Sequence, residues 1–288
     1  MAQESTPVPV YPRSISMFAF RSVAVFTLCA GVAVFTLCAE AVRIPTLTPY
    51  LFSDTSSHDE SSLLPGRTVF AAKGQVPFLN ELSLVKLDGV APTDIDSAGT
   101  VVRLGVAGHC KVQVGSAQTL DFGRGESVTV LPGLQHTVLG NPGGCTFLEF
   151  RLASGNFSFP AGHGALKSDV RELQSVPTAH NTDLLSKRVL ISKGTVPGLL
   201  QLSIARFSPG AVCEEHSHAT ASEVYVNWDG PGCHVKAMDS RGSWNTYDLT
   251  SGKAAVLNPG TPHAAWNENK FASCYNVNMM VGNPDEAQ

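Results

Sequence analysis

The sequence predicts an all-β protein built from two tandem units, each a β-sandwich or a β-barrel, behind an apolar N-terminal segment. Three observations carry this expectation. Gly (26) and Pro (18) are plentiful, and long amphipathic helical patterns are hard to find. Short apolar or alternating runs are broken by turn residues at intervals of about ten positions, the signature of a sandwich or barrel. The second half of the chain also repeats the first. With 288 residues, 43% hydrophobic and 15% charged, the chain can bury a core large enough for two modest domains. A formal net charge of −4 offers no basic field for phosphates, which argues against a nucleic-acid partner.

The first element is the run "SVAVFTLCAGVAVFTLCA", Ser22 to Ala39, uncharged and preceded by Arg13 and Arg21. It is about the minimum length for a bilayer span, and Ala39-Glu40-Ala41 fits a small-x-small cleavage site. Residues 1–41 therefore read as a cleaved signal peptide or a signal-anchor. Because the basic flank lies on the N-terminal side, the remainder is expected across the membrane, extracellular, membrane-anchored or in an organelle lumen. The membrane is then a partner only through this segment. Asn156-Phe157-Ser158 is a glycosylation sequon, which has meaning only in such a compartment.

Residues 42–65 form a polar, Ser-rich spacer. From Gly66 the text "GRTVFAAKGQVPFLNELSLVKLDG" returns as "SKRVLISKGTVPGLLQLSIARFSPG" from Ser186. At one constant offset Lys73-Gly74 matches Lys193-Gly194, Val76-Pro77 matches Val196-Pro197, and Leu82-Ser83 matches Leu202-Ser203. "GESVTVLPGLQH", Gly125 to His136, then returns as "GKAAVLNPGTPH", Gly252 to His263. A duplicated unit fixes a duplicated architecture. The domains are accordingly 66–155 and 186–288, joined by a 156–185 link in which "KSDVRELQSV" is the one candidate for a short helix.

Chemistry concentrates in the second copy. His216 and His218 stand two apart, so on a strand their side chains leave the same face. Glu223 lies one strand-length on, and His263 arrives from a later strand past the "NPGTPH" turn. Three neutral imidazoles and a carboxylate suit one divalent first-row ion, with Mn, Fe, Co, Ni, Cu and Zn all eligible, and an octahedral ion would keep two positions open. Beside them Cys213 reads as a buried small hydrophobe or a pocket-lining thiol, and alternation places Tyr225 on the face of Glu223, toward a pocket. Cys110/Cys145 and Cys233/Cys274 occupy similar places in the two copies. Two matching disulfides and free thiols both remain open, since spacing alone does not bring Cα atoms within the roughly 7 Å a bridge needs.

At Gly210, His216, His218, Glu223 and Gly230 the chain resembles the first cupin motif at every fixed position. Gly252, Asn258, Gly260, His263 and Asn267 resemble the second, with proline one place late at Pro259. The resemblance runs from Gly66 onward and implies a bicupin: two jelly-roll β-barrels, with His216, His218, Glu223 and His263 holding the metal inside the second. Asn267 enters the candidate pocket lining as a motif position. In the first copy, Ile95, Ser97 and Val101 stand where the other ligands should be and only His136 survives. That barrel is therefore expected to hold no ion, with His136 a hydrogen-bonded barrel histidine. By resemblance the leading functional expectation is a metal-dependent dioxygenase or oxidase acting on a small molecule, with Fe or Mn favoured. A cupin lyase or isomerase, and a non-catalytic binding, storage or germin-like protein, are the alternatives. A bicupin can mimic a germin-like dimer within one chain, so the resemblance allows a homo-oligomer without requiring one. No catalytic residue beyond the ligands is singled out.

Overall fold

The structure, a computed structural model, describes residues 50–52, 66–91, 94, 99–116, 118–153, 164–180, 183–196, 198–250 and 252–282. The N-terminal segment through Ala41, Asn156, Ile95 and Ser97 lie outside the described residues. Those described form strands, turns and loops with no α-helix.

The first barrel comprises β2 (Arg67–Ala71), β3 (Leu79–Leu87), β4 (Val101–Val114), β5 (Gln118–Gly123), β6 (Glu126–Val130) and β7 (His136–Leu152). β4 and β7 are long enough to serve both walls. β7 pairs with β4 along nearly its whole length and with β3 at its C-terminal half. The register of the β4/β7 pair shifts after Gly105 and again after Gly108, and such bulges bend a strand around a barrel corner. In the second barrel the same path is cut into shorter strands: β10 (Leu185–Val196), β11 (Leu199–Phe207), β12 (Val212–His216), β13 (Ala221–Asp229), β14 (Cys233–Met238), β15 (Trp244–Leu249), β16 (Ala254–Leu257), β17 (His263–Trp266) and β18 (Cys274–Gly282). They make an extended sheet containing β16-β13-β18-β11-β10 and a facing four-stranded sheet, β12-β17-β14-β15. Strand β14, "CHVKAM", alternates buried and half-buried residues along its length, as a strand with one face on a core must.

The repeat read in the sequence is visible in strand register. Arg67 pairs with Val85 and Thr68 with Leu84, just as Lys187 pairs with Ala205 and Arg188 with Ile204. Both hairpins carry a bulge at the same place, between Val69 and Ala71 and between Val189 and Ile191.

Two segments depart from expectation. The 156–185 link holds no helix where it is described. Instead β8 (Ala165–Asp169) pairs with β6 of the first barrel, and β9 (Val176–Pro177) pairs with β10 of the second. An open strand edge offers a full ladder of backbone partners, which outweighs the weak helical tendency of "KSDVRELQSV". Within the 42–65 spacer, β1 (Tyr50–Phe52) pairs with β16.

Both cysteine pairs are disulfides. Cys110–Cys145 and Cys233–Cys274 each have Cα atoms 5.7 Å apart. Next to them Gly108 and Gly230 adopt φ of 67° and 85°, and a Cβ there would lie 2.4 Å from the carbonyl oxygen of Gly144 and 2.5 Å from that of Ser273. Only glycine fits that approach.

Three apolar clusters result. One fills the first barrel around Val112, Phe122, Val128 and Phe147, and another fills the second around Phe207, Cys213, Tyr225 and Leu257. The third joins the barrels: Phe70, Leu82, Leu104 and Phe150 pack in one continuous cluster with Ile191, Leu202, Val224 and Met279.

Candidate metal centre

β12 and β17 pair antiparallel with His216 opposite His263, which sets two imidazoles side by side at the mouth of the second barrel. His218 lies in the loop that follows β12 rather than on the strand, a correction to the simple i, i+2 picture. Its carbonyl accepts from the Gly260 N–H at 2.7 Å, so the NPGTPH turn holds the loop in place. Glu223 comes from β13 in the opposite sheet, opposite Leu257 of β16. The donor atoms of His216, His218, Glu223 and His263 all lie within 4.8 Å of one another.

The hydrogen bonds fix which nitrogens face inward. His263 Nδ1 donates to the Thr261 carbonyl at 2.8 Å, and His216 Nδ1 donates to the Glu214 carbonyl at 2.8 Å. A carbonyl only accepts, so in both rings the proton is on Nδ1 and Nε2 is left for a ligand role. Glu223 is 4% exposed; its Oε2 lies 2.8 Å from His263 Nε2 and 3.2 Å from His218 Nε2. Asn278 Nδ2 donates to its other oxygen. Burial alone would push the Glu223 carboxyl up, yet the hydrogen bonds from His218 and His263 hold it well below the ordinary range. Burial likewise opposes charge on His263, but the bond to Glu223 outweighs it and raises that imidazole. The cluster is therefore arranged around one positive charge, which a proton or a cation can supply.

A divalent ion fits. Neighbouring donors around an ion at roughly 2.1 Å stand about 3 Å apart, close to the 2.8 and 3.2 Å of the two Glu223 contacts. Both outer shells that a metal histidine needs, a carbonyl behind Nδ1 and an amide behind the carboxylate, are present.

A cavity of about 170 Å³ adjoins the cluster. Cys213 and Tyr225 are among the residues that line it. Asn267 is not: its Nδ2 donates to the carbonyls of Phe207 and Ala272, both at 2.9 Å, so it ties the β17–β18 loop to β11. Cys213 is the free thiol among the described residues, and burial followed by the Glu223 charge pushes its pKa up to about 12, so it remains protonated. Trp228 and Trp266 are absent from the lining; Trp266 stacks on His234 at 5.3 Å.

Sequence reasoning missed two lining residues. His180, from the link, brings its ring centroid to 4.5 Å from that of His216. No spacing marks it, because it precedes the repeat. Lys187 on β10 donates to Gln201 at 2.8 Å, and burial lowers its pKa despite the Glu223 charge. Its signal was available in the repeat itself, where it takes the place of Arg67.

The first barrel keeps the histidine and changes what it meets. His136 Nδ1 donates to the carbonyl two residues earlier, Leu134, at 3.0 Å, the same arrangement as His263 to Thr261. Its Nε2 then accepts from Arg103 Nη2 at 3.0 Å. Val101 opposes Val130 as Glu223 opposes Leu257, so an isopropyl group occupies the position of the carboxylate.

No family model matches the chain, and no curated protein matches it by sequence. Solved structures do. A structure of oxalate decarboxylase concerned with its substrate binding mode superposes with a TM-score of 0.60 at 13% identity, covering 82% of this chain and 77% of that one. A variant of the Bacillus subtilis enzyme gives 0.60 at 13%, covering 84% and 78%. A structure concerned with the Mn(II) centres of the Bacillus subtilis enzyme gives 0.56 at 12%, covering 78% and 79%. At such identity the likeness is one of architecture. The chain has the two-barrel cupin fold.

Proposed function

We propose that the chain is a metal-dependent enzyme that transforms a small organic acid at the second barrel, and that this barrel alone carries the ion. The observation that carries the reading is the convergence of His216, His218, Glu223 and His263 beside a small cavity that also contains Lys187. A bound ion supplies Lewis acidity or a route for electrons. The chain's own residues do the rest. Lys187 offers an ammonium to a substrate carboxylate, and its burial makes that pairing stronger than it would be at a surface. His180, which burial holds below the usual imidazole range, is neutral at pH 7 and positioned to accept a proton at the face next to His216. Tyr225, fully buried with its hydroxyl held protonated first by burial and then by the Glu223 charge, closes the inner wall. The first barrel offers His136 a guanidinium in place of an ion, which supports assigning the metal to one site.

Oxidation with O₂ is the leading reaction class, because a three-histidine, one-carboxylate set with open positions suits Fe or Mn. Non-oxidative carbon–carbon cleavage is the second reading, favoured by the oxalate decarboxylase structures that share the fold. The two disulfides support an oxidising compartment, in keeping with an exported chain. The test is metal analysis of purified protein, followed by assays of O₂ uptake and CO₂ release with oxalate and a panel of 2-oxo and 2-hydroxy acids. Mn or Fe with O₂ uptake supports the first reading, and CO₂ release without O₂ uptake supports the second. Stoichiometric Zn without turnover on any acid would favour a binding protein.

A further inference from the structure

Where the second barrel gathers three histidines and a glutamate, the first barrel holds a network of charged side chains. Strand register shows the exchange position by position. Arg103 opposes Glu149 where the second barrel pairs Tyr225 with Asn278, and Glu81 opposes Arg151 where the second pairs Gln201 with Met280. Arg67 replaces Lys187. Neutral or singly charged residues have thus become a linked set of three arginines and two glutamates, joined by Asp94, which pairs with Arg151.

These residues line a cleft of about 860 Å³, several times the volume beside the candidate metal cluster. Its lining also includes the apolar residues Val85, Val138 and Phe147, the last with its ring centroid 6.0 Å from the Arg103 guanidinium carbon. Within the set the ion pairs use one side of each guanidinium. Arg67 gives Nε and Nη2 to Glu81 and Glu149, Arg103 gives Nε and Nη2 to Glu149, and Arg151 gives Nε to Glu149 and Nη2 to Asp94. The Nη1 side is engaged by none of these carboxylates. For Arg103, which is 2% exposed, Nη1 is enclosed with no hydrogen-bond partner among the described residues. A buried donor of this kind demands an acceptor. Burial also holds the Arg103 pKa below the usual guanidinium range in spite of Glu149.

We propose that the first barrel is a binding site for a small organic carboxylate with an apolar tail. The carboxylate accepts from Arg103 Nη1 and from the neighbouring guanidiniums, and the tail lies on the Val85, Val138 and Phe147 wall. Arginine forks match a carboxylate in this way, and the resident glutamates keep the arginines neutralised when the cleft is empty. With His136 Nε2 taken by Arg103 and no second imidazole in the lining, the cleft lacks the donor set gathered in the second barrel.

The proposal does not depend on metal chemistry, so its test silences the second barrel. Full-length protein carrying His216→Ala and Lys187→Met is titrated with carboxyl-¹³C-labelled hexanoate by NMR and calorimetry, with hexanol as the neutral control. One equivalent of hexanoate should bind, with hexanol failing to compete. Arg103→Lys keeps the charge against Glu149 but removes Nη1, and should weaken hexanoate by about tenfold or more. Ala91→Trp fills the cleft from its rim without touching the ion pairs, and should weaken it comparably. The site is overturned if hexanoate fails to bind at about 10 mM, if hexanol binds equally well, or if both substitutions leave the affinity unchanged.

Discussion

His136 and His263 show how little of a side chain's role resides in the side chain itself. Both rings are held by a carbonyl two residues back, and both present Nε2 to the barrel interior. One meets Glu223 and two further imidazoles, the other a guanidinium. Replacing His216 or His263 by Ala should therefore abolish metal content and turnover while circular dichroism shows the barrels intact. His136→Ala should leave metal content unchanged, and loss of the ion in that variant would sink the assignment of one site per chain. Asn278→Ala tests the next layer out. It removes the amide behind Glu223 without removing a donor, and should weaken metal affinity by about 10- to 100-fold, read by competition with a chelator.

The β-hairpins explain why the fold was easier to read than its connections. Lys73-Gly74 and Lys193-Gly194 carry the repeat in the letters themselves, and both glycines adopt a positive φ, 88° and 84°. The link gives no such sign, because β8 and β9 are strands only by virtue of the edges they pair with. Disulfide pairing was undecided for a similar reason: spacing does not give a distance, whereas the close approach at Gly108 and Gly230 does. Gly230→Ala places a methyl against the Ser273 carbonyl in a left-handed conformation, and the conformational cost alone is about 1–2 kcal/mol. Urea unfolding should show at least that loss. Exchange of Cys233 and Cys274 for Ser should cost about 2–5 kcal/mol by the same measurement, and an unchanged midpoint would show that the bridge does not form in the protein.

Across the whole molecule the two barrels share a core, so a charge network in one bears on the stability of both. The cluster of His216, His218, Glu223 and His263 was legible because a candidate coordination set needs particular residue types at particular spacings. The network in the first barrel was not, because Arg67, Glu81, Arg103, Glu149 and Arg151 come from four strands and look like ordinary surface charges along the chain. That network makes stability depend on pH with a definite sign. Burial, then the Arg103 charge, lowers the His136 pKa from its ordinary 6.5. The unfolded chain therefore takes up this proton first, and the stability His136 contributes is complete above pH 6.5 and declines as pH falls through it. Glu149 acts in the same direction at lower pH. Burial would raise it, but Arg103, Arg151 and Arg67 hold it far below the ordinary carboxyl value of 4.5, so its contribution is present above that value and is lost progressively below it. Urea unfolding followed from about pH 8 to about pH 4 should show a first decline near the unfolded histidine pKa and a steeper one below the unfolded carboxylate pKa. His263, whose pKa is raised, works against the first decline, so the informative quantity is the difference between wild type and His136→Gln. That difference should shrink as pH falls through 6.5, since the variant keeps an acceptor for Arg103 and has no proton to gain. Parallel curves for the two proteins would mean that neither burial nor Arg103 holds His136 neutral in the folded protein.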